Sequence, residues 1–232
     1  MSIRLITFDL DDTLWSVQPV IRAADQALRD WLTANARGLG ELSVERLQNV
    51  RRELVKQRPD LEQRISELRY QVLVRILLQS GYAQREAQQI AEQAFQVFLT
   101  ARQNVDLFAD VLPTLEQLRR DYMLGALSNG NADVRRVGLA EYFSFALNAD
   151  MLGVAKPEPQ VFLAALARAQ VQPAHSIHIG DHPEHDVLGA QQVGMRTVWF
   201  NPEQLVWTGE HQPDAEISRI SQLPEVIKRL AE

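Results

Sequence analysis

The chain has no cysteine. Disulfides, thiolate nucleophiles and cysteine-held metals are therefore excluded, and the composition fits a reducing compartment. No run approaches the roughly 18 apolar residues that a membrane-spanning helix needs. The opening MSIRLITFDLDDT has no apolar core followed by a small-residue cleavage site. These absences lead to the expectation of a soluble, cytoplasmic protein. An excess of positive charge is missing as well: 24 Lys+Arg stand against 30 Asp+Glu, giving a formal net charge of −6. That balance argues against a surface built for nucleic acid or anionic membrane, so neither is expected as a partner. No internal repeat or low-complexity tract is evident. What the chain does have is apolar material. A hydrophobic fraction of 46% over 232 residues suits one large domain, or one domain carrying an insert.

The two ends of the chain alternate between strand-like and helix-like segments. Ile3–Phe8 (IRLITF) reads as a buried strand. Val111–Arg120 repeats apolar residues at helical spacing, and Tyr122–Leu127 is a short apolar run ending at a Ser-Asn-Gly turn. Ala132–Gly138 is expected as a short helix and Phe145–Leu147 as a strand. Pro157–Ala169 is a helix with Pro157 in its first turn, where proline is tolerated. Ser176–Ile179 is a strand, followed by a polar loop and a helix to about Val193, with Gly194 as its cap. Thr197–Phe200 and Ala215–Ile217 complete the strands, and Ser221 is expected to cap a last helix with Pro224 near its start. Strands alternating with helices predict an α/β fold, a doubly wound, Rossmann-like parallel sheet.

The middle of the chain has no convincing strand. Val20, Ala24, Ala27, Leu28, Trp31 and Leu32 share one helical stripe. Leu61, Ile65, Leu68, Val72 and Ile76 form another, opened by Asp60 and closed near Gly81. Ala87, Ile90, Ala91, Ala94 and Phe98 form a third, and Val44–Lys56 is a weaker fourth. The division expected is an α/β core from residues 1–17 and 104–232, interrupted by an all-helical insert at 18–103.

In parallel α/β sheets, ligands bind beyond the carboxyl ends of the strands. The first strand is followed by Asp9-Leu10-Asp11-Asp12-Thr13, the next by Ser128-Asn129-Gly130, and the Ser176–Ile179 strand by Gly180-Asp181 and onward to Asp186. Lys156 precedes the helix near 157. Collected on one edge, these residues supply several carboxylates, one hydroxyl and one lysine. Carboxylates so crowded repel one another, and a hard divalent cation such as Mg²⁺ would neutralise them.

The motifs DLDDT, Ser128, Lys156-Pro157 and GDxxxxD (Gly180 to Asp186) resemble, in order, the four signature motifs of the haloacid dehalogenase (HAD) superfamily. The helical insert is similar to that family's cap domain. The resemblance implies Asp9 as the nucleophile that forms an aspartyl-phosphate, and Asp11 as the acid and then base beside it. It implies Ser128 and Lys156 as partners of the phosphate and of Asp9, with Leu10 and Asn129 also at the substrate. Mg²⁺ would be held by Asp9, the Asp11 backbone carbonyl and Asp181, with Thr13 and Asp186 supporting from behind.

The family's dehalogenases lack an acid at the position of Asp11, because halide leaves without a proton. A phosphomonoesterase acting on a small phosphorylated molecule is therefore expected. A sugar-phosphate mutase or a dehalogenase of the same superfamily, or a catalytically silent phospho-ligand binder, is the alternative. The cap lysine of the family's phosphonatases has one counterpart position to consider, Lys56, which lies in the charged run RRELVKQR of a solvated helix face. The stretches SNGN, GDHPEHDVLGAQQVGMRTVWFNP and AEISRISQLPEVI resemble the branch containing bacterial flavin mononucleotide (FMN) and riboflavin-pathway phosphatases.

Other polar and aromatic residues have simpler readings. His182 and His185 beside carboxylates do not suit a soft-metal site. His178, inside a strand, is expected to be a satisfied core histidine, and Trp31, Phe95 and Phe98 to be core. Trp15, directly after the acidic turn, is expected to touch substrate. Asp12 carries no assigned chemistry, and SNGN lacks the spacing of a nucleotide-binding P-loop. The oligomeric state is left open.

Overall fold

The computed structural model describes residues 2–231. Its chain divides into two compact units. One runs to Val17 and resumes at Val105, and the other is Gln18–Asn104.

The first unit is a six-stranded sheet: β1 (Leu5–Phe8), β2 (Met123–Ser128), β3 (Phe145–Asn148), β4 (Ser176–Gly180), β5 (Arg196–Phe200) and β6 (Ala215–Ile217). The order is β3-β2-β1-β4-β5-β6, with every pairing parallel. All four residues of β1 and all five of β4 are buried, as strands covered on both faces must be. On one face Leu5, Leu127 and Phe145 pack with Val161, Phe162, Ala165 and Leu166. Sequence order reverses direction across β1, because β2 lies on one side and β4 on the other. A crevice at such a switch point is where parallel sheets hold ligands.

The second unit contains no strand. It holds α2 (Val44–Gln57), α3 (Ile65–Gln79), α4 (Gln84–Arg102) and all but the first residue of α1 (Val17–Asn35). Their buried stripes form a single cluster, including Leu28, Leu32, Val50, Leu54, Leu68, Ile76, Ala91 and Phe98. The Ser43 hydroxyl caps α2 by accepting from the Arg46 N–H.

The remaining α-helices belong to the α/β unit: α5 (Val111–Leu118), α6 (Ala149–Leu152), α7 (Pro159–Ala169), α8 (Gly189–Gln192), entered through a π-helical segment at Pro183–Leu188, and α9 (Leu223–Ala231). Four local expectations are corrected. Ala132–Gly138 forms turns, not a helix; its five-residue core Val134–Gly138 is too short to offset the cost of nucleating one. Pro159, not Pro157, occupies the first turn of α7, after an extended Glu158. Asp60 opens a 3₁₀ turn, Pro59–Gln63, and α3 starts beyond it at Ile65. Ser221 lies inside a 3₁₀ turn before α9 and donates its backbone N–H to Asp110, while Gln222 accepts from Ser218 and Arg219.

Gly189 shows how tightly the sheet face packs. A Cβ there would come within 2.8 Å of the Phe162 ring and 3.0 Å of the Pro157 backbone. Pro157 adjoins Lys156, so crowding at this point strains the loop that carries the lysine. Gly189→Ala is expected to cost about 1–3 kcal/mol, the usual range for overpacking. The urea unfolding midpoint of the variant measures this, and an unchanged midpoint would contradict it.

Candidate active site

The chain turns sharply after β1. Asp9 still follows the sheet, donating its N–H to the Ile179 carbonyl at 2.8 Å. Asp12 adopts a positive φ of 57°, a conformation that Asp tolerates better than most residues. The Leu14 N–H returns to the Leu10 carbonyl, and the Asp12 N–H to the Trp15 carbonyl, both at 2.8 Å. The Asp12 carboxylate accepts from the Val17 N–H at the start of α1. Asp12 is thus a turn former and helix-end acceptor, which accounts for the third acid of the cluster.

Lys156 is the electrostatic centre. Its side chain is 2% exposed, and its ammonium donates to Asp9 Oδ1 at 2.6 Å, to Asp186 Oδ1 at 2.6 Å and to the Leu127 carbonyl at 2.9 Å. All three of its protons are thereby used. Burial opposes its charge, but Asp186 and Asp9 outweigh burial and raise its pKa.

Asp186 is saturated. Besides Lys156, its Oδ1 receives His178 Nε2 at 3.1 Å, and its Oδ2 accepts the His182 backbone N–H at 2.9 Å. Against the cost of burial, Lys156 and His178 hold it ionised, with its pKa lowered. Only a glycine at 180 leaves room for this carboxylate, since a Cβ there would lie 2.2 Å from Asp186 Cγ.

His178 takes a larger part than a core residue. Burial lowers its pKa, so the imidazole is neutral. A neutral ring that donates through Nε2 to Asp186 accepts at Nδ1, and the Thr7 hydroxyl lies 2.8 Å away to donate there. Thr7, His178, Asp186, Lys156 and Asp9 form one buried hydrogen-bonded line from β1 to β4 and back. Sequence reading missed Thr7 entirely. The available signal was register, since Thr7 pairs with His178 across β1 and β4.

Thr13, fully buried, lies with Oγ1 at 3.4 Å from Asp9 Oδ2 and 3.3 Å from Asp181 Oδ1. A hydroxyl has one proton and cannot satisfy both carboxylates. Burial raises the Asp9 pKa well above the usual carboxylate range, Asp186 and Asp181 push the same way, and Lys156 opposes them. Burial, then Asp186 and Asp12, push Asp181 up to about 7.

The other positions fall as follows. The Asn129 side chain clasps the Lys156 backbone, accepting its N–H at 2.8 Å and donating to its carbonyl at 2.9 Å. It ties the β2 loop to the lysine loop and keeps one further side-chain N–H to donate. Ser128, 3% exposed, accepts the Gly130 N–H at 2.9 Å through its hydroxyl, which keeps its own proton to donate. Leu10 is buried, so only its backbone is suited to a polar ligand. Trp15 does not present a surface to substrate: it is 0% exposed, and its indole N–H donates to Asp11 Oδ1 at 2.9 Å. His182 caps the turn that follows it, its Nδ1 accepting from the N–H groups of Glu184 and His185. Its ring stacks on His185 at 3.8 Å. Trp199 donates its indole N–H to the Asp181 carbonyl at 2.8 Å and so steadies the loop beyond β4.

Asp9, Asp181 and Asp186 each offer a carboxylate oxygen within 4.8 Å of the others. The donor set is all oxygen and suits a hard cation such as Mg²⁺. Asp186 already has partners on both oxygens. The under-compensated oxygens are those sharing Thr13, on Asp9 and Asp181, and these are the ones suited to ligate.

The fold and centre define a class first: a parallel α/β enzyme with an acid-rich site at the switch point of its sheet. The model of the haloacid dehalogenase-like hydrolases matches residues 3–194, and the chain belongs to that family. A relative from Escherichia coli K12, the 5-amino-6-(5-phospho-D-ribitylamino)uracil phosphatase YigB, is 31% identical over 229 residues, covering 97% of this chain and 96% of its own. A glyceraldehyde 3-phosphate phosphatase from Methanopyrus kandleri is 30% identical, with 99% of each chain covered. Among solved structures, a 2-haloacid dehalogenase from Pseudomonas syringae pv. Tomato DC3000 superposes with a TM-score of 0.97 at 52% identity, covering 99% of this chain and 100% of that one.

The raised Asp181 pKa has a consequence for stability. A carboxyl with a raised folded pKa leaves the folded state holding more protons than the unfolded state between about 4 and about 7. Stability therefore falls as pH rises through that window. In metal-free buffer, Asp181→Asn is expected to melt above wild type at pH 8 and level with it at pH 4. Mg²⁺ should raise the wild-type melting temperature at pH 8 by a few degrees, about 2–4 °C per kcal/mol at this chain length. The same addition should not move Asp181→Asn. Scanning calorimetry at the two pH values decides the matter.

Proposed function

We propose that the protein is a Mg²⁺-dependent phosphatase that hydrolyses small phosphomonoesters through an aspartyl-phosphate on Asp9. One observation carries this reading: an acid, Asp11, stands two residues beyond a buried carboxylate that is held by Lys156 at 2.6 Å. Asp9 attacks phosphorus and the bond to the alcohol oxygen breaks. Asp11 delivers a proton to that oxygen, then accepts one from the water that hydrolyses the acyl-phosphate. Lys156 and Ser128 offset charge on the phosphoryl oxygens. Asp9, Asp181 and the Asp11 carbonyl would hold the cation, which would supply charge neutralisation at the site.

The relatives' printed names support a substrate class. A 5-phosphoribityl group and glyceraldehyde 3-phosphate both carry phosphate on a primary alcohol of a hydroxylated chain. FMN does so as well, and it is the first substrate to test. An alkoxide is a poor leaving group, so this class needs the proton that Asp11 carries.

A second reading has an observation behind it, the dehalogenase named at 52% identity. In that reaction Asp9 would displace halide from carbon to form an ester, and Asp11 would have no proton to give. The acid therefore favours the phosphatase. A panel of phosphate esters including FMN, with and without Mg²⁺, is expected to yield phosphate only with metal, and 2-chloropropionate to yield no chloride. Asp9→Asn should abolish turnover, at least 10³-fold, as expected when a covalent nucleophile is lost. Chloride release without phosphate release would establish the second reading instead.

A further inference from the structure

We propose that Trp15 is a positioning residue for the acid: its indole N–H fixes Asp11 so that the transferable proton resides on Oδ2. The inference rests on the phosphatase reading and specifies how its acid is aimed.

The geometry gives the indole no alternative role. Trp15 is 0% exposed, among the largest fully buried side chains of the chain, and its Nε1 lies 2.9 Å from Asp11 Oδ1. An indole N–H donates and cannot accept. Oδ1 therefore accepts from it, and because the unprotonated oxygen of a carboxyl group is the stronger acceptor, this hydrogen bond favours a proton on Oδ2. During transfer the proton passes from Oδ2 to the leaving oxygen as the P–O bond breaks, and Trp15 keeps its own proton throughout. The carboxylate thus always returns to one orientation, ready to take a proton from water in the second half-reaction.

Trp15 is itself immobilised by the backbone. Its carbonyl accepts the Asp12 N–H, it pairs with Asp11 in a parallel bridge, and it pairs with Leu107 in an antiparallel one. The Phe108 N–H donates to the neighbouring Leu14 carbonyl at 3.0 Å. The segments leaving and re-entering the α/β unit are therefore stitched together at the residue that holds the acid.

The decisive readout is dependence on the leaving group. kcat/KM covers the steps up to departure of the alcohol, and p-nitrophenolate departs without a proton. Trp15→Phe keeps an apolar ring and removes the donor. It is expected to lower kcat/KM for the fastest alkyl ester among FMN, phosphoserine and glycerol 3-phosphate by roughly 10- to 100-fold, a part of what general acid catalysis supplies. With p-nitrophenyl phosphate the fall should stay within about threefold, since that leaving group makes no use of the acid. Replacing Trp15 with 3-benzothienylalanine, in which sulfur takes the place of the N–H, keeps the packing and should reproduce the same split. Equal losses on both ester types, or no loss on either, would overturn the role of the indole. Absence of alkyl-phosphate turnover by the wild-type enzyme would instead overturn the phosphatase reading beneath it.

Discussion

Lys156 stands alone among three carboxylates, and much of the α/β unit is arranged around that imbalance. Its ammonium touches Asp9 and Asp186 at 2.6 Å, while Asp181 lies 3.3 Å from a hydroxyl that it shares with Asp9. Breaking a buried ion pair typically costs about 3–5 kcal/mol, because the surviving charge is left unsolvated. The cluster is nonetheless undercompensated, with Asp9 and Asp181 both pushed toward protonation. A nucleophile must be ionised to attack. Positive charge added on the Asp9–Asp181 side would favour that ionised form.

The asymmetry between the acids is produced by neighbours, not by chemistry intrinsic to aspartate. Asp186 has a lysine, a neutral histidine and a backbone N–H, so it stays charged and spends its charge on orientation. Asp9 has one ammonium and a long contact to a shared hydroxyl. Parallel register is what separates them. Thr7 opposite His178 places the imidazole beneath the site, and Gly180 allows the Asp186 side chain to fold under the strand end. Asn129 then ties the Lys156 loop to the end of β2, so the ammonium is set by two loops and not by its own flexible stem.

Much of this was legible in the sequence, and the reasons for the gaps are physical. Short apolar runs and period-3.6 patterns exposed the strands and helices, since burial imposes them directly. Placing the acids at strand ends needed only the rule for parallel sheets. Pro157 and Ser221 were misread because a proline or serine near a helix start fits more than one position of the first turn, and only the hydrogen bonds choose among them. Thr7 and the full part of His178 were invisible because both lie inside apolar strands, where a polar residue reads as an oddity until register pairs it. Trp15 was misread for a related reason. A large aromatic beside an acidic turn fits a ligand contact or a buried clamp equally well, and its environment decides.

The two tryptophan contacts to the acidic loops share a logic that polar residues could not supply. Trp15 reaches Asp11, and Trp199 reaches the Asp181 carbonyl, each through an indole N–H at 2.8–2.9 Å. A serine or asparagine at either position could donate or accept, and would compete with water and substrate for several arrangements. A lysine or arginine would add charge and change the acid's proton affinity far more strongly. An indole brings one neutral donor on a rigid apolar body that excludes water by its own bulk. Next to a carboxylate proposed to release and recover a proton in each cycle, the useful restraint is one that fixes direction and changes the charge balance little. The cluster already depends on a narrow balance of charge around Lys156, so orientation at its periphery is best held by neutral groups.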